Sequence, residues 1–111
     1  MRTFESGATR DDDKDKLDLA GFFSPLVLER FAVYMHKHQK TAGGVRAGDD
    51  WKKGIPQDAY MRSLLRHTLA AWIAHEKGAP IEDALCAVLF NAMGYLFEEL
   101  QKCSRLSNIS C

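Results

Sequence analysis

A line of polar and small residues runs through the most apolar segment of the sequence, residues 81–100. At about 100° per residue, positions three or four apart share one face of a helix. This spacing joins five residues into a continuous stripe: Asp83, Ala87, Asn91, Gly94 and Glu98. Two carboxylates and an amide between small residues leave room for a ligand against the helix. The same stripe is equally typical of the solvated face of an amphipathic helix.

A second group of polar residues lies on an amphipathic segment, residues 57–77. His67 has small neighbours at helical spacing, and the space beside it suits a ligand, although a structural histidine is the other interpretation. Arg62 and Arg66 lie four apart on a different strip. Guanidinium groups bind phosphate oxygens well, so this pair is a candidate phosphate-binding site.

The loop of residues 41–56 contains four glycines and one tryptophan, Trp51. Loops of this length in a small domain are usually functional or disordered. A large aromatic side chain favours a function, while a structural plug at the end of the helices is the alternative. Lys52 and Lys53 follow Trp51 and add positive charge.

Several familiar catalytic patterns are missing from the sequence. It has no glycine-rich phosphate loop, no Cys-x-x-Cys or His-x-x-x-His zinc pair and no serine nucleophile elbow. The remaining inventory of acids, an amide, a histidine and basic side chains suits Mg²⁺ held by carboxylates, with lysine and arginine on phosphate oxygens.

Three helices are expected to position these residues. Ser24-Pro25 provides an N-cap and a first-turn proline for a helix that continues to Lys40 and ends at residues 41–44. Residues 57–77 form the second helix, closed by Gly78, and residues 81–100 form the third. No segment has a convincing strand pattern. The fold class is therefore all-α, a small bundle of three main helices whose wide apolar faces are expected to be completed by homo-oligomerisation.

Composition narrows the possible partners and compartment. Fifteen basic and fifteen acidic residues cancel, so neither nucleic acid nor a membrane is an expected partner. No uncharged stretch is long enough to span a bilayer, and the polar N-terminus predicts no signal peptide. Cys86, Cys103 and Cys111 are expected to be reduced thiols of a cytoplasmic protein. Residues 1–18 are predicted as a flexible polar arm, 19–101 as the helical domain and 102–111 as a frayed tail.

A resemblance to a known family is carried by five segments: GATRD near the start, KLDLAGFFSPLVLERFAVYM, DDWKKGIP, YMRSLLRH and EDALCAVLFNAMGYLFE. Together they resemble small phage-type proteins classed as dATP/dGTP diphosphohydrolases, which are similar to MazG-like all-α nucleotide pyrophosphohydrolases. The resemblance covers roughly residues 7–100. It implies hydrolysis of a (deoxy)nucleoside triphosphate to monophosphate and pyrophosphate, with Mg²⁺ or Mn²⁺, in the host cytoplasm if the protein is phage-encoded.

The resemblance also implies roles for individual residues. The matching positions are Glu29, Trp51, Arg66, His67, Asp83 and Asn91. Metal binding is implied for Asp83 and Glu29, with Glu98 or Glu82 as a further ligand, and phosphate binding for Arg62, Arg66 and Lys52 or Lys53. Trp51 would stack on the base, and His67 would orient water or contact the ligand.

The sequence departs from the family pattern at two places. The paired acids of MazG-like helices are incomplete, because Asp83 is followed four residues later by Ala87. Position 50 is Asp, where the relatives have Asn before Trp. A non-catalytic phage accessory protein that binds a nucleotide or a host protein is therefore the alternative, and a purely structural helical oligomer is the third.

Overall fold

Four α-helices dominate the part of the chain that this computed structural model describes, residues 2–11 and 15–105. They are α1 (Leu19–Phe22), α2 (Pro25–Lys37), α3 (Gln57–Lys77) and α4 (Glu82–Arg105), and a single 3-10 turn covers Asp50–Lys53. The prediction of an all-α protein with three main helices is confirmed. No helix among the described residues combines the length and the apolar character needed to cross a bilayer.

Two small hairpins correct the expectation that the chain has no strand. β1 (Arg2–Thr3) pairs with β2 (Thr9–Arg10), and β3 (Lys40–Thr41) pairs with β4 (Gly44–Val45). The second hairpin shortens the predicted first helix, which ends at Lys37. The cause is the Gly43-Gly44 turn, since Gly44 adopts a φ of 125°, which a residue with a side chain rarely reaches.

Capping residues define the helix ends largely as predicted. The Ser24 hydroxyl accepts a hydrogen bond from the Val27 N–H and starts α2. α3 has the predicted bounds and ends at Gly78, whose φ of 63° is the left-handed C-cap conformation. α4 continues to Arg105, into the segment that was predicted as a tail. Residues 106–111 of that tail lie outside the described part of the chain.

α3 and α4 run antiparallel, with the start of α3 beside the end of α4. The Gln57 side chain donates a hydrogen bond to Glu99 (2.5 Å), and the Ile55 N–H donates to Glu98 (3.2 Å). Further along the pair, Tyr60 is 2% exposed and its ring lies directly against Gly94. A Cβ at position 94 would overlap that ring, so the glycine sets how closely the two helices approach.

The stripe of small and polar residues on α4 is therefore an inward face. Ala87, Asn91 and Gly94 are buried, and Glu98 is partly buried. The interpretation of this stripe as a solvated face is wrong at these positions. The broad leucine face of the same helix points outward instead, with Leu96 57% exposed.

Charge attaches α2 to the start of α4. The Arg30 guanidinium lies 2.7 Å from Glu82 and 2.7 Å from Asp83, and the Lys37 ammonium lies 3.0 Å from Asp83. We call these four residues the α2–α4 clamp. The clamp lies beside Cys86, a buried free thiol. The side chains of Cys103 and Cys111 lie outside the described part of the chain.

Replacement of Gly94 tests the close approach of α3 and α4. Gly94→Ala is expected to lower the free energy of unfolding by about 1–3 kcal/mol, because the new methyl group overlaps the Tyr60 ring. Gly48→Ala is the matched control, since its only near neighbour is the end of the flexible Gln39 side chain; a change within about 0.5 kcal/mol is expected. Urea unfolding followed by circular dichroism measures both. Equal effects of the two substitutions would contradict the packing described here.

Candidate functional site

A cavity of about 780 Å³ opens between α2, α3, α4 and the segment that links α2 to α3. Its polar lining consists of His36, His38, Gln39, Arg46, Asp50, Ser63, His67 and Asn91. Its aromatic lining consists of Phe31, Tyr34, Trp51 and Phe90. Three imidazoles and a guanidinium face one carboxylate, so the wall favours an anionic ligand that also carries a planar apolar part.

Asn91 is the most buried polar residue of this wall, at 5% exposure. Its Nδ2 atom donates a hydrogen bond to the Ala87 carbonyl one turn earlier (2.8 Å). This bond fixes the orientation of the amide and leaves its oxygen as the end available to a ligand. A buried amide with one fixed bond is well suited to recognise a donor group such as the amino group of a base.

His67 reaches the cavity from α3, one turn after Ser63. Both side chains are partly buried, and they lie on the side of α3 that carries the buried residues Tyr60 and Ala71. The space inferred beside His67 from its small neighbours is this cavity. One imidazole nitrogen can donate a hydrogen bond and the other can accept one, so His67 can contact a ligand or a water molecule in this wall.

Trp51 closes one end of the cavity and is anchored on α4. Its ring makes edge contacts with Phe90 (centroids 6.0 Å apart) and Phe97 (5.0 Å). The Lys52 ammonium lies 5.7 Å from the centre of the same ring. Trp51 therefore packs against the helices and also lines the cavity. A structural role and a ligand-binding role are both compatible with this position.

The β3–β4 hairpin supplies Arg46, whose guanidinium donates to the His38 carbonyl (2.7 Å). The backbone N–H of Arg46 donates to the Gln39 carbonyl (2.7 Å), and the Gln39 side chain donates back to the Arg46 carbonyl (3.1 Å). His38 in turn lies against the Tyr34 ring, at 4.3 Å between centroids. These hydrogen bonds hold the Arg46 guanidinium at the edge of the cavity.

Two groups near the contact of α2 with α4, the Tyr34 hydroxyl and the Asp83 carboxylate, have shifted pKa values. Burial raises the pKa of the Tyr34 hydroxyl, and the nearby charge of Asp83 raises it further. Asp83 itself has a lowered pKa, because Arg30 first and Lys37 second donate hydrogen bonds to its carboxylate. Asp83 does not line the cavity.

The predicted site residues divide into two groups. Trp51, His67 and Asn91 line the cavity. The others lie outside its lining: Glu29, Lys52, Lys53, Arg62, Arg66, Asp83 and Glu98. Of these, Lys53 pairs with Asp50 (2.9 Å), Arg62 pairs with Asp58 (2.9 Å), and Glu98 accepts the Ile55 N–H. Glu29 and Arg66 are exposed.

The described residues do not assemble a metal centre in this arrangement. No group of three or more His, Cys, Asp or Glu side chains among them is placed to hold an ion. Each oxygen of the Asp83 carboxylate already accepts from a cation, Oδ1 from Arg30 and Oδ2 from Lys37. A resident Mg²⁺ at Asp83 therefore does not fit unless Lys37 or Arg30 first gives up its ion pair.

Six polar lining residues were missed by sequence reasoning: His36, His38, Gln39, Arg46, Asp50 and Ser63. Residues two apart, such as His36 and His38, project to different sides of a regular helix, so helical geometry predicts no shared role for them. The helix ends at Lys37, so His38 leaves the helical path. The paired glycines at positions 43 and 44 were the available signal, since a tight turn there brings Arg46 back to His38.

The fold and this cavity define a small all-α protein with one polar, aromatic-lined cleft. No family model matches the chain, and neither the curated proteins nor the solved structures give a match. Its function therefore has to be inferred from the site itself.

The clamp makes stability depend on pH. Asp83 has a folded-state pKa below its unfolded value, so its contribution is present above about pH 4 and is lost as pH falls through the folded-state pKa. Asp83→Asn is therefore expected to lower the Tm near neutral pH, and the difference from wild type should shrink as pH falls through the folded-state pKa of Asp83. Asp58→Asn, which breaks only the exposed pair with Arg62, is the control and should change Tm little. A constant deficit of Asp83→Asn across this range would contradict the clamp.

Proposed function

We propose that the protein binds a (deoxy)nucleoside triphosphate in this cavity and hydrolyses it to the monophosphate and pyrophosphate, acting in the cytoplasm (the host cytoplasm if it is phage-encoded). The observation that carries the proposal is that Trp51, His67 and Asn91 line one cleft. These are three of the six positions at which the sequence resembles the dATP/dGTP diphosphohydrolases.

The size and lining of the cavity support a nucleotide as the ligand. Its volume of about 780 Å³ lies within the usual range for small-molecule sites, about 300–1,000 Å³. Trp51 and Phe90 offer aromatic surface to a base, and the Asn91 amide offers a hydrogen bond. Arg46 offers positive charge to phosphate oxygens, and the imidazoles of His36 and His38 offer hydrogen-bond donors.

The same residues support hydrolysis between the α- and β-phosphates. A water oxygen forms a new bond to the α-phosphorus, the bridging P–O bond to the β-phosphate breaks, and pyrophosphate leaves with the bond electrons. His67 is proposed to hold the attacking water and take its proton, and Arg46 to stabilise the charge that develops on pyrophosphate. Mg²⁺ or Mn²⁺, when bound, would neutralise phosphate charge and lower the pKa of water.

The metal is proposed to enter with the nucleotide. Mg²⁺ is usually held by one or two carboxylates together with substrate phosphates and water, so a full protein cage is unnecessary. Asp83 would supply a protein carboxylate only after Lys37 or Arg30 gives up its ion pair, so the nucleotide phosphates and water would be the main ligands of such an ion.

Pyrophosphate release from each of the four dNTPs, with Mg²⁺ or Mn²⁺, tests this proposal. Wild type is expected to turn over at least one of them, and His67→Ala is expected to reduce kcat/KM at least about tenfold, or about 1.4 kcal/mol. His75→Ala is the matched control, because His75 lies on the same helix, exposed and outside the cavity. Equal losses in the two variants, or no turnover of any dNTP by wild type, would contradict the proposal.

A second candidate is nucleotide binding without hydrolysis, which the occupied carboxylate of Asp83 favours. Asp83→Asn removes the partner of Arg30 and Lys37, whereas Glu82→Gln removes one partner of Arg30 alone. Glu82→Gln is therefore a partial control for loosening of the clamp. If the protein is an enzyme that uses Asp83, only Asp83→Asn abolishes turnover. If it is a binding protein, nucleotides raise the Tm of wild type without pyrophosphate release, and both variants retain that shift.

A further inference from the structure

Asp50 is the only acidic residue among the described residues that line the cavity. It begins the 3-10 turn Asp50–Lys53, so Trp51 follows it directly in the chain, and both residues are partly buried. A ligand that covers a carboxylate has to donate hydrogen bonds to it, because a covered charge without a partner is costly. The part of a ligand that meets Asp50 is therefore a hydrogen-bond donor.

Lys53 leaves most of the hydrogen-bonding capacity of this carboxylate unused. Its ammonium lies 2.9 Å from Oδ1 of Asp50. The Lys53 side chain is 78% exposed, and an ion pair of this kind is weak because solvent and salt screen it. A carboxylate accepts about four hydrogen bonds on its two oxygens, so Asp50 can still accept bonds from a ligand on both oxygens.

The two amides of the wall also present acceptors to a ligand. Nδ2 of Asn91 donates to the Ala87 carbonyl (2.8 Å), and Nε2 of Gln39 donates to the Arg46 carbonyl (3.1 Å). Each amide nitrogen is directed to the backbone, so each amide oxygen is directed away from it. Together with Asp50, the wall therefore favours a ligand whose planar part carries several donors.

Charge decides which part of a nucleotide lies against Asp50. A carboxylate repels the phosphates, whereas Arg46 attracts them. The base is uncharged, and Trp51 offers it an aromatic surface next to Asp50. The edge of the base is therefore the part of a nucleotide that meets the Asp50 carboxylate.

The nucleobases differ in the donors that they present to a carboxylate. The base-pairing edge of guanine carries two neighbouring donors, the N1–H and the N2 amino group, which match the two oxygens of a carboxylate. Adenine and cytosine carry an amino group beside a ring nitrogen that accepts, and thymine carries one N–H between two carbonyls. Each of these three bases places an acceptor against the carboxylate, so an acceptor-rich wall favours guanine.

We infer that Asp50 selects guanine nucleotides over the other three, by accepting hydrogen bonds from the N1–H and the N2 amino group of a base that packs on Trp51. The inference rests on the proposed function, because it takes the cavity as the nucleotide site, and it adds the base and the residue that selects it. Position 50 is one of the two places where the sequence departs from the family that it resembles, so the family pattern assigns no role to this carboxylate.

Calorimetric titration of wild type with α,β-methylene analogues of dGTP, dITP and dATP in Mg²⁺ tests the inference, because these analogues cannot be cleaved between the α- and β-phosphates. The dGTP analogue is expected to bind at least about tenfold more tightly than the dATP analogue. The dITP analogue lacks only the amino group of guanine and should bind with intermediate affinity. Affinities for the dGTP and dATP analogues within about twofold of each other would overturn this inference alone. Wild type that binds none of the analogues would overturn the proposed function as well.

Asp50→Asn tests the residue itself. An amide offers one donor and one acceptor, which suits adenine, so the preference for the dGTP analogue is expected to fall at least about tenfold. Asp49→Asn is the matched control, since it removes the same charge one residue earlier at an exposed position outside the cavity lining; it should keep the wild-type preference. If Asp50→Asn weakens all the analogues equally, in Mg²⁺ but not in EDTA, Asp50 is a metal ligand and the inference is overturned. The wild-type comparison needs no substitution and decides the question even if Asp50→Asn does not fold.

Discussion

The contact between the Tyr60 ring and Gly94 is the constraint on which the rest of the molecule depends. The absence of a side chain at position 94 lets α3 approach α4 closely, and the neighbouring small residue Ala87 continues the same inward face. Once this face is used, the leucines of α4 have no place in the core of a single chain. The contact therefore decides which side chains of α4 are inside and which are exposed.

The same contact explains the position of the cavity. Asn91 lies between Ala87 and Gly94 on the inward face, so it is buried and lines the cleft beside His67. Asp83 lies two turns earlier, before the close contact begins, and its carboxylate instead meets the cations of α2. One stripe of residues thus supplies both an amide in the cavity wall and an acid in the clamp.

The clamp gives α2 a different kind of attachment from that of α3. Its ion pairs are partly exposed, with 36% exposure at the Arg30 side chain and 56% at Asp83, so each pair stabilises the contact less than a buried contact such as that of Tyr60 with Gly94. α2 also supplies Phe31, Tyr34 and His36 to the cavity wall. The clamp therefore holds one side of the cleft in place.

The local signals in the sequence were sufficient for the helices but not for their arrangement. The start of α2 follows from Ser24-Pro25 and the end of α3 from Gly78, because caps act through neighbours in the chain. The orientation of α4 could not be derived, since a stripe of small and polar residues suits both a solvated face and a tight helix contact. The partners of Asp83 could not be derived either, because Arg30 lies 53 residues away in the chain. The lining by Arg46 required the β3–β4 hairpin, whose two-residue strands have too little pattern to be recognised.

A double-mutant cycle between Tyr60 and Gly94 tests the central claim most directly. Tyr60→Ala leaves a void that the methyl group of Gly94→Ala enters without overlap, so the double variant is expected to be more stable than the sum of the single effects by about 1–2 kcal/mol. Urea unfolding of the four proteins at one concentration gives this coupling free energy. Effects that add to within about 0.5 kcal/mol would show that the two residues do not touch, and would contradict the inward orientation of the α4 stripe.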